Sequence, residues 1–141
     1  VEEGPMPRLY RQSPLNAIWE GSGNVIALDV LRALSREPDS LEAVQAELKK
    51  PLGRHHAYDA HVGRLADYLT PGNLHEGTAR GFARDAALAL QGAALHEMAP
   101  DFVFEAFCAQ RLSSDRNGLL YGDVSPDVDQ ARLIERAIPA V

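Results

Sequence analysis

The sequence predicts an all-α protein, a helical bundle with four to five principal helices. Apolar residues recur at helical spacing along most of the 141 residues. No segment alternates between apolar and polar side chains as a half-buried strand would. Proline, glycine and helix-cap residues separate the apolar stretches. A chain of this length can bury a core as a single domain.

The first part of the chain, residues 1–18, contains three prolines, so a long helix is disfavoured there. A short helical turn about Leu9 to Gln12 is compatible with their positions. The first long helix begins at Asn24 and ends at "REPDS". Its apolar stripe at helical spacing comprises Val25, Leu28, Leu31 and Leu34, with Ile26 and Val30 beside them.

Two shorter helices follow. Asp39 is the expected N-cap of the second helix, because Glu42 lies three residues later in capping-box register. "KKPLG" ends this helix, whose apolar side comprises Leu41, Val44 and Leu48. The third helix runs from about His55 to Leu69 and ends at "TPGN". Its apolar face comprises Tyr58, Val62, Leu65 and Leu69.

The fourth helix, about Leu74 to Met98, is predicted to be the longest. Asn73 with Glu76 repeats the capping-box pattern at its start. Its alanines and leucines spread around much of the circumference, as expected for a helix that packs on several sides.

A fifth helical stretch, "FVFEAFCAQRL", follows Pro100. A loop with Gly118 and Gly122 separates this stretch from a final helix that ends at about Ile138. Ser125 is the expected N-cap of the final helix, with Pro126 at the first helical position.

The composition limits the classes of protein to which this chain can belong. Apolar residues make up 45% and charged residues 24%, which is typical of a folded domain rather than a disordered chain. The net charge of −6 argues against a basic nucleic-acid surface over the whole chain. Residues 1–36 carry four acids and four bases, so the acid excess lies beyond them.

Cysteine content and hydropathy indicate where such a chain is found. The single cysteine, Cys108, excludes an internal disulfide and fits a reducing cytoplasm, and we expect it to be a small buried residue. The longest nearly apolar run, residues 86–95, is too short to span a bilayer. The chain opens at Val1 on a segment without a signal pattern, and we expect it to be a piece of a longer protein.

Residues 19–24, "WEGSGN", place one carboxylate, Glu20, at a flexible turn immediately before the first long helix. Acids and small polar residues are favoured at helix starts, so the stretch has a purely structural explanation. Glycine, serine and asparagine also leave backbone N–H groups available to an anion, and the acid could then act as a base against a bound ligand. Both hypotheses stay open on these residues alone.

Basic residues are further candidates for a binding site. The stretch 49–64 is the most basic, and is either a solvated helix edge or a phosphate-contacting patch. Arg32 and Arg36 lie four residues apart on one face of the first long helix. The basic stretch contains Lys49, Lys50, Arg54, His55, His56, His61 and Arg64.

"HEGTA", residues 75–79, lacks the second histidine of the zinc-protease helix, and no metal site is predicted.

The run "MPRLYRQSPLNAIWEGSGNVIALDVLRAL", residues 6–34, closely resembles the C-terminal catalytic segment of acyl-CoA dehydrogenase-family flavoproteins. It is similar in particular to their AidB-type branch, which is linked to the adaptive response to DNA alkylation. "FCAQRL" and the tail "YGDVSPDVDQARLIERA" resemble that branch more loosely. The resemblance implies that residues 1–23 lead into and include a catalytic-base turn, and that residues 24–141 form a C-terminal helical bundle. The N-terminal helical domain and middle β-domain of the family would then be missing from this chain.

The resemblance also implies roles for individual residues. Glu20 matches the family's catalytic base, which removes the proton α to a thioester carbonyl while a hydride passes from the β-carbon to FAD. Trp19 replaces the tyrosine of the family's Tyr-Glu-Gly-Thr motif, and Gly21 and Ser22 stand for its glycine and threonine. Asn24 falls where relatives use a polar residue towards FAD. Trp19, Gly21, Ser22 and Asn24 are therefore the expected cofactor-binding residues.

Two functional classes follow from the resemblance. As an enzyme, the parent protein would oxidise an acyl-CoA with FAD, and this isolated chain would be inactive. As a binding protein, it would contact double-stranded DNA through the helical region, where Arg32 matches a basic position implicated in the branch and Arg36 lies beside it. Assembly into a homotetramer through the helical domains is compatible with both, and no membrane partner is expected.

Overall fold

The structure, a computed structural model, describes residues 3–18, 23–114 and 124–138. These residues contain seven α-helices and no strand, which confirms the predicted all-α class. A 3₁₀ helix (Ser13–Ala17) follows α1, and a π-helical segment (Cys108–Leu112) continues α6. The helices are α1 (Met6–Gln12), α2 (Asn24–Arg36), α3 (Pro38–Lys49), α4 (His56–Tyr68), α5 (Ala79–Met98), α6 (Asp101–Phe107) and α7 (Gln130–Ala137).

Helix α5 is the centre of the bundle. With 20 residues it is the longest helix described, as predicted. It packs against α2, α3, α4, α6 and the π-helical segment, which explains why its apolar residues are not confined to one stripe. Ala89, Gly92 and Ala93 are buried along it, and their small size lets neighbouring helices approach closely.

One core cluster joins α4, α6 and the π-helical segment. Tyr58 is fully buried there, and its hydroxyl donates to the carbonyl oxygens of Leu48 (3.1 Å) and Ala89 (3.3 Å). A Cβ added at Gly92 would lie 2.8 Å from the Tyr58 ring, so α4 and α5 need a glycine at this crossing. The buried members of the cluster are Ala57, Tyr58, Phe104, Cys108 and Leu112.

A second core cluster joins α3, α4 and α5. Leu48, Leu65, Phe82 and Ala89 are its buried members. Val30 and Leu34 of α2 pack against this cluster, so the predicted stripe of α2 does face the core. The N-terminal end of that stripe does not, because Val25 is 50% exposed and Ile26 is 56% exposed.

The N-terminal segment is more helical than expected. Only a short turn about Leu9 to Gln12 was compatible with the three prolines, yet α1 spans seven residues. Pro7 lies at the start of α1, where its ring fits helical geometry and its missing N–H has no intrahelical partner to lose. Neither α1 nor the 3₁₀ helix has a buried residue.

The prediction of Asp39 as N-cap was wrong. Helix α3 begins one residue earlier, at Pro38, with Glu37 as its N-cap. A proline at the first helical position is favoured because its φ angle is already helical. Asp39 consequently lies in the first turn, where its negative charge still favours the helix dipole.

The prediction of Asn73 as N-cap of the fourth helix was also wrong. Helix α5 begins at Ala79, and the Asn73 amide instead donates to the carbonyl oxygen of Asp67 (2.8 Å). The Thr78 hydroxyl donates to the Asn73 carbonyl oxygen (2.7 Å) and accepts from the His75 N–H (3.0 Å). These contacts hold residues 73–78 in a turn that precedes the helix.

The start of the final helix differs from the prediction in the same way. Helix α7 begins at Gln130, and the Asp129 side chain caps it by accepting from the Arg132 N–H (3.1 Å). Ser125 is buried, and its N–H donates to the Gln110 side-chain oxygen (3.2 Å), so Ser125 closes a turn against the π-helical segment. The predicted loop with Gly118 and Gly122 lies outside the described residues.

None of the helices in the described ranges combines the length and apolar character needed to cross a membrane.

Candidate functional site

The start of α2 is the described part of the predicted catalytic turn. Gly23 is the N-cap residue and has a φ angle of +64°, in the left-handed region that favours glycine. Among the described residues no side chain caps the helix, and its first turn contains no acid. Residues 23–26 are exposed, so the start of α2 lies at the surface, where the first backbone N–H groups of a helix suit an anion.

A contact between two helix starts completes this surface. The Asn24 side-chain oxygen accepts a hydrogen bond from Arg80 Nη1 (3.1 Å) in the first turn of α5. Arg80 Nη2 lies 3.7 Å from the position a Cβ would take on Gly23. Arg80 thus adds a cation to the N-terminal end of α2. Sequence reasoning missed Arg80, because it lies 56 positions from Asn24 and no local pattern connects them.

The predicted base and three predicted cofactor-binding residues lie outside the described residues. These are Glu20, Trp19, Gly21 and Ser22. The described residues on either side are at the surface, since Ile18 is 75% exposed and Gly23 is exposed. The roles of Trp19, Glu20, Gly21 and Ser22 stay predictions.

Arg32 and Arg36 are both exposed on α2. Arg32 forms an ion pair with Asp29, and both side chains are 61% exposed. The pair offsets part of the Arg32 charge but leaves the guanidinium accessible to solvent. Arg36 lies in the last turn of α2, where a cation favours the helix dipole.

The basic stretch 49–64 does not form one continuous basic face. Lys50 pairs with Glu47 (2.6 Å) and Glu97 (2.7 Å), and hydrogen bonds to these two carboxylates raise the pKa of its amine. His61 is buried at 4% exposure, so the interpretation as a solvated edge is wrong for this residue. His56 is exposed, as that interpretation requires.

His55 has a structural role at the start of α4. Its Nδ1 accepts a hydrogen bond from the Ala57 N–H (3.1 Å), so the imidazole is the N-cap of the helix. Burial lowers the pKa of the imidazole, and the neighbouring charge of His56 adds to the effect. The His55 and His56 rings stack with their centroids 4.8 Å apart.

Cys108 is fully buried, which confirms the sequence prediction. Burial, followed by the charges of Asp59 and Glu105, raises the pKa of its thiol to about 12. A buried thiol that stays protonated is a poor nucleophile and a poor metal ligand. Within residues 3–18, 23–114 and 124–138, no three histidine, cysteine, aspartate or glutamate side chains are grouped to hold a metal ion.

Comparison with known proteins supports the family resemblance, although no protein-family model matches the chain. AidB of Escherichia coli (strain K12), which carries the name of an acyl-CoA dehydrogenase, is 41% identical over 68 residues, or 48% of this chain and 13% of AidB. Acyl-CoA dehydrogenase family member 11 of Caenorhabditis elegans is 38% identical over 53 residues, or 38% of this chain and 9% of that protein.

These matches confirm the resemblance to AidB-type proteins of the acyl-CoA dehydrogenase family. The chain is homologous to a segment of such proteins, and its matched part spans about an eighth or less of the length of each relative.

Proposed function

We propose that this AidB-type segment of an acyl-CoA dehydrogenase-family protein supplies the catalytic base of an FAD-dependent oxidoreductase acting on acyl-CoA. The observation that carries the proposal is the motif "WEGSGN", which ends at the first residue of α2, where the helix start is exposed and Asn24 is bonded to Arg80. The homology to two proteins whose names place them in or with the acyl-CoA dehydrogenase family supports the same reaction class.

The described residues at the start of α2 fit an anionic dinucleotide. The first N–H groups of α2 and the Arg80 guanidinium are donors with positive charge on one surface. Asn24 accepts from Arg80 through its side-chain oxygen, so its amide N–H₂ group can donate to a ligand. Asn24, Ser22, Gly21 and Trp19 are the residues proposed to hold FAD.

Glu20 is proposed to remove the proton α to the thioester carbonyl. FAD, when bound, supplies the acceptor for the hydride that leaves the β-carbon. A glutamate with an ordinary pKa of about 4.3 is a weak base, so the site must exclude water and the developing enolate must be stabilised by nearby donors. Those conditions require more of the protein than this segment, which is why the isolated chain is expected to be inactive.

The test is Glu20→Gln in the full-length protein. We expect FAD to stay bound while flavin bleaching by a panel of acyl-CoA thioesters is lost, because glutamine fills the same volume but cannot accept the proton. Glu42→Gln, at an exposed position on α3, is the matched control and should bleach normally. Bleaching that persists in Glu20→Gln would show that another residue is the base.

A second candidate function is binding of double-stranded DNA, with little dehydrogenase turnover. It is favoured by the exposed Arg32 and Arg36 on α2, in the part of the chain where acids do not outnumber bases. Because the whole chain carries a net charge of −6, such a surface would be a local stripe.

The test is Arg32→Ala in the full-length protein. If Arg32 contacts a phosphate, the variant should bind DNA more weakly for all sequences, and the slope of log affinity against log salt should fall by about one. Lys50→Ala is the control, since Lys50 is already paired with Glu47 and Glu97. Unchanged DNA affinity in Arg32→Ala at low salt would rule out this role.

Assembly and location are also part of the proposal. We expect the full-length protein to form a homotetramer through its helical domains and to reside in the cytoplasm without a membrane partner. Light scattering of the full-length protein measures the assembly directly.

A further inference from the structure

A cavity of about 320 Å³ lies between α4, α5 and the π-helical segment. Three arginines line it, and each comes from a different element: Arg64 from α4, Arg84 from α5 and Arg111 from the π-helical segment. Leu88 and Leu112 provide apolar wall. Its volume is near the lower end of the range for small-molecule sites.

The lining of this cavity is cationic although the chain as a whole is acidic. Asp85 is the single carboxylate among the described residues that line the cavity, against three guanidinium groups. Asp85 accepts from Arg84 Nε (2.7 Å) and from the Tyr68 hydroxyl (3.3 Å), so one arginine already compensates it. The cavity therefore has an excess of positive charge that comes from Arg64 and Arg111.

Hydrogen bonds orient the Arg64 guanidinium at the cavity wall. Its Nη2 donates to His61 Nδ1 (3.1 Å) and to the Leu112 carbonyl oxygen (3.3 Å). His61 Nε2 faces the Asp85 carbonyl oxygen (2.8 Å), so the Nε2–H tautomer satisfies both neighbours. A guanidinium has five N–H donors, and both of these bonds come from Nη2. These two bonds therefore leave the N–H groups on Nη1 and Nε of Arg64 unused.

Arg111 provides the observation that most directly indicates a ligand. Its Nε is buried and has no hydrogen-bond partner among the described residues. A buried donor without a partner is unfavourable, and a turn of the Arg111 side chain towards an acceptor in the cavity would relieve this cost. Arg111 also lies in a π-helical segment, a rare conformation that is frequent at functional sites.

We propose that this cavity binds the phosphate group of a small phosphate monoester, with Arg64, Arg84 and Arg111 as its ligands. Arginines on three elements can present donors from several directions, which suits a tetrahedral oxyanion better than a planar carboxylate. The apolar wall formed by Leu88 and Leu112 would contact the organic part of the ester. This proposal does not depend on the function proposed for Glu20.

The test is a titration of the full 141-residue chain with phenyl phosphate, monitored by NMR of the arginine Nε–H groups. We expect a saturable shift of the Arg111 Nε–H resonance and weaker or absent binding of benzoate at equal concentration. A carboxylate that binds equally well, or no saturable shift with phenyl phosphate, would overturn the proposal. Binding of double-stranded DNA without phenyl phosphate binding would also overturn it.

Variants test the role of the arginines. Arg111→Gln should weaken phenyl phosphate binding at least about tenfold, because a charge-assisted pair of hydrogen bonds is lost. Arg54→Gln, an exposed arginine outside the cavity, should bind as the unsubstituted chain does. If Arg111→Gln fails to fold, Arg84→Gln replaces it, since that side chain is 68% exposed and its loss does not open the core. Unchanged affinity in the folded arginine variant would contradict the assignment.

Discussion

The thiol of Cys108 lies between the rings and aliphatic side chains of Tyr58, Phe104 and Leu112, with no exposed surface. Its reactivity is set by two properties together, lack of access and a raised pKa. The thiolate is the reactive form, and burial disfavours it. The single cysteine is therefore a packing residue in the folded chain.

We expect Cys108 in the folded chain to react with an aromatic disulfide reagent only as fast as the surrounding helices open. In denaturant the same thiol should react at once and completely, because it regains an ordinary pKa and full access. Absorbance of the released thiolate measures both rates. Rapid reaction without denaturant would show that the core cluster joining α4, α6 and the π-helical segment is open in solution.

Single residues also hold the candidate site together. Asn24 and Arg80 join the starts of α2 and α5 through one hydrogen bond of 3.1 Å. Gly23 sets the entry angle of the chain into α2 with its positive φ angle. These three residues position the N-terminal end of α2, which Glu20 precedes by four residues in the sequence.

At the scale of secondary-structure elements, α4 has an unusual N-cap. Histidine is not among the preferred N-cap residues, and here the acceptor is an imidazole nitrogen that can be protonated. Protonation of Nδ1 removes the acceptor for the Ala57 N–H and places a charge beside His56. We therefore expect the start of α4 to be sensitive to acid.

The pH dependence of stability follows from the lowered pKa of His55. Between the folded-state pKa and the ordinary value of 6.5, the unfolded chain binds more protons than the folded chain. The contribution of His55 is therefore complete above pH 6.5 and is lost as the pH falls through the folded-state pKa.

We expect His55→Asn to reduce the loss of stability between about pH 7.5 and pH 5, because asparagine keeps an acceptor at the N-cap but does not titrate in this range. Denaturant unfolding at several pH values measures the effect, which should be about 1 kcal/mol, the typical contribution of a cap. His56→Asn should retain most of the acid sensitivity, since burial is the larger cause of the shift. Identical pH profiles for His55→Asn and the unsubstituted chain would contradict this account.

At the scale of the whole molecule, the core lies in residues 27–112, around α5. The segment formed by α1 and the 3₁₀ helix packs mainly against itself and exposes apolar side chains. Met6 is 62% exposed, Tyr10 is 79% exposed and Ile18 is 75% exposed. This segment therefore adds little buried apolar area to the bundle.

Deletion of residues 1–18 should change the melting temperature of the chain by less than about 2 °C, because the described part of this segment buries no residue. Tyr58→Phe is the comparison. It removes the hydroxyl that donates to the Leu48 and Ala89 carbonyl oxygens and should cost about 1 kcal/mol. Circular dichroism on heating measures the melting temperature of each variant. A larger decrease in melting temperature from the deletion than from Tyr58→Phe would show that residues 1–18 contribute more to stability than their exposure indicates.

Local periodicity carried most of the fold prediction. The all-α class, the long central helix, the burial of Cys108 and the apolar side of α2 around Leu34 were all predicted from residue spacing. Helix periodicity repeats over several turns, so a single misread residue does not change it. Helix starts depend on one or two side chains, and three of the predicted caps, Asp39, Asn73 and Ser125, were wrong.

The motif around Glu20 and its resemblance to the acyl-CoA dehydrogenase family were likewise properties of the sequence, since homology is read from residue order. The tertiary structure alone decided where the distant arginines lie. It places Arg80 at the start of α2, and Arg64, Arg84 and Arg111 around one cavity. Packing of α2 against α5, and of α4, α5 and the π-helical segment against one another, places these residues together although they lie far apart in sequence. Short-range patterns contain no information about such pairs, because each residue's local preference is satisfied equally well by many arrangements of the helices.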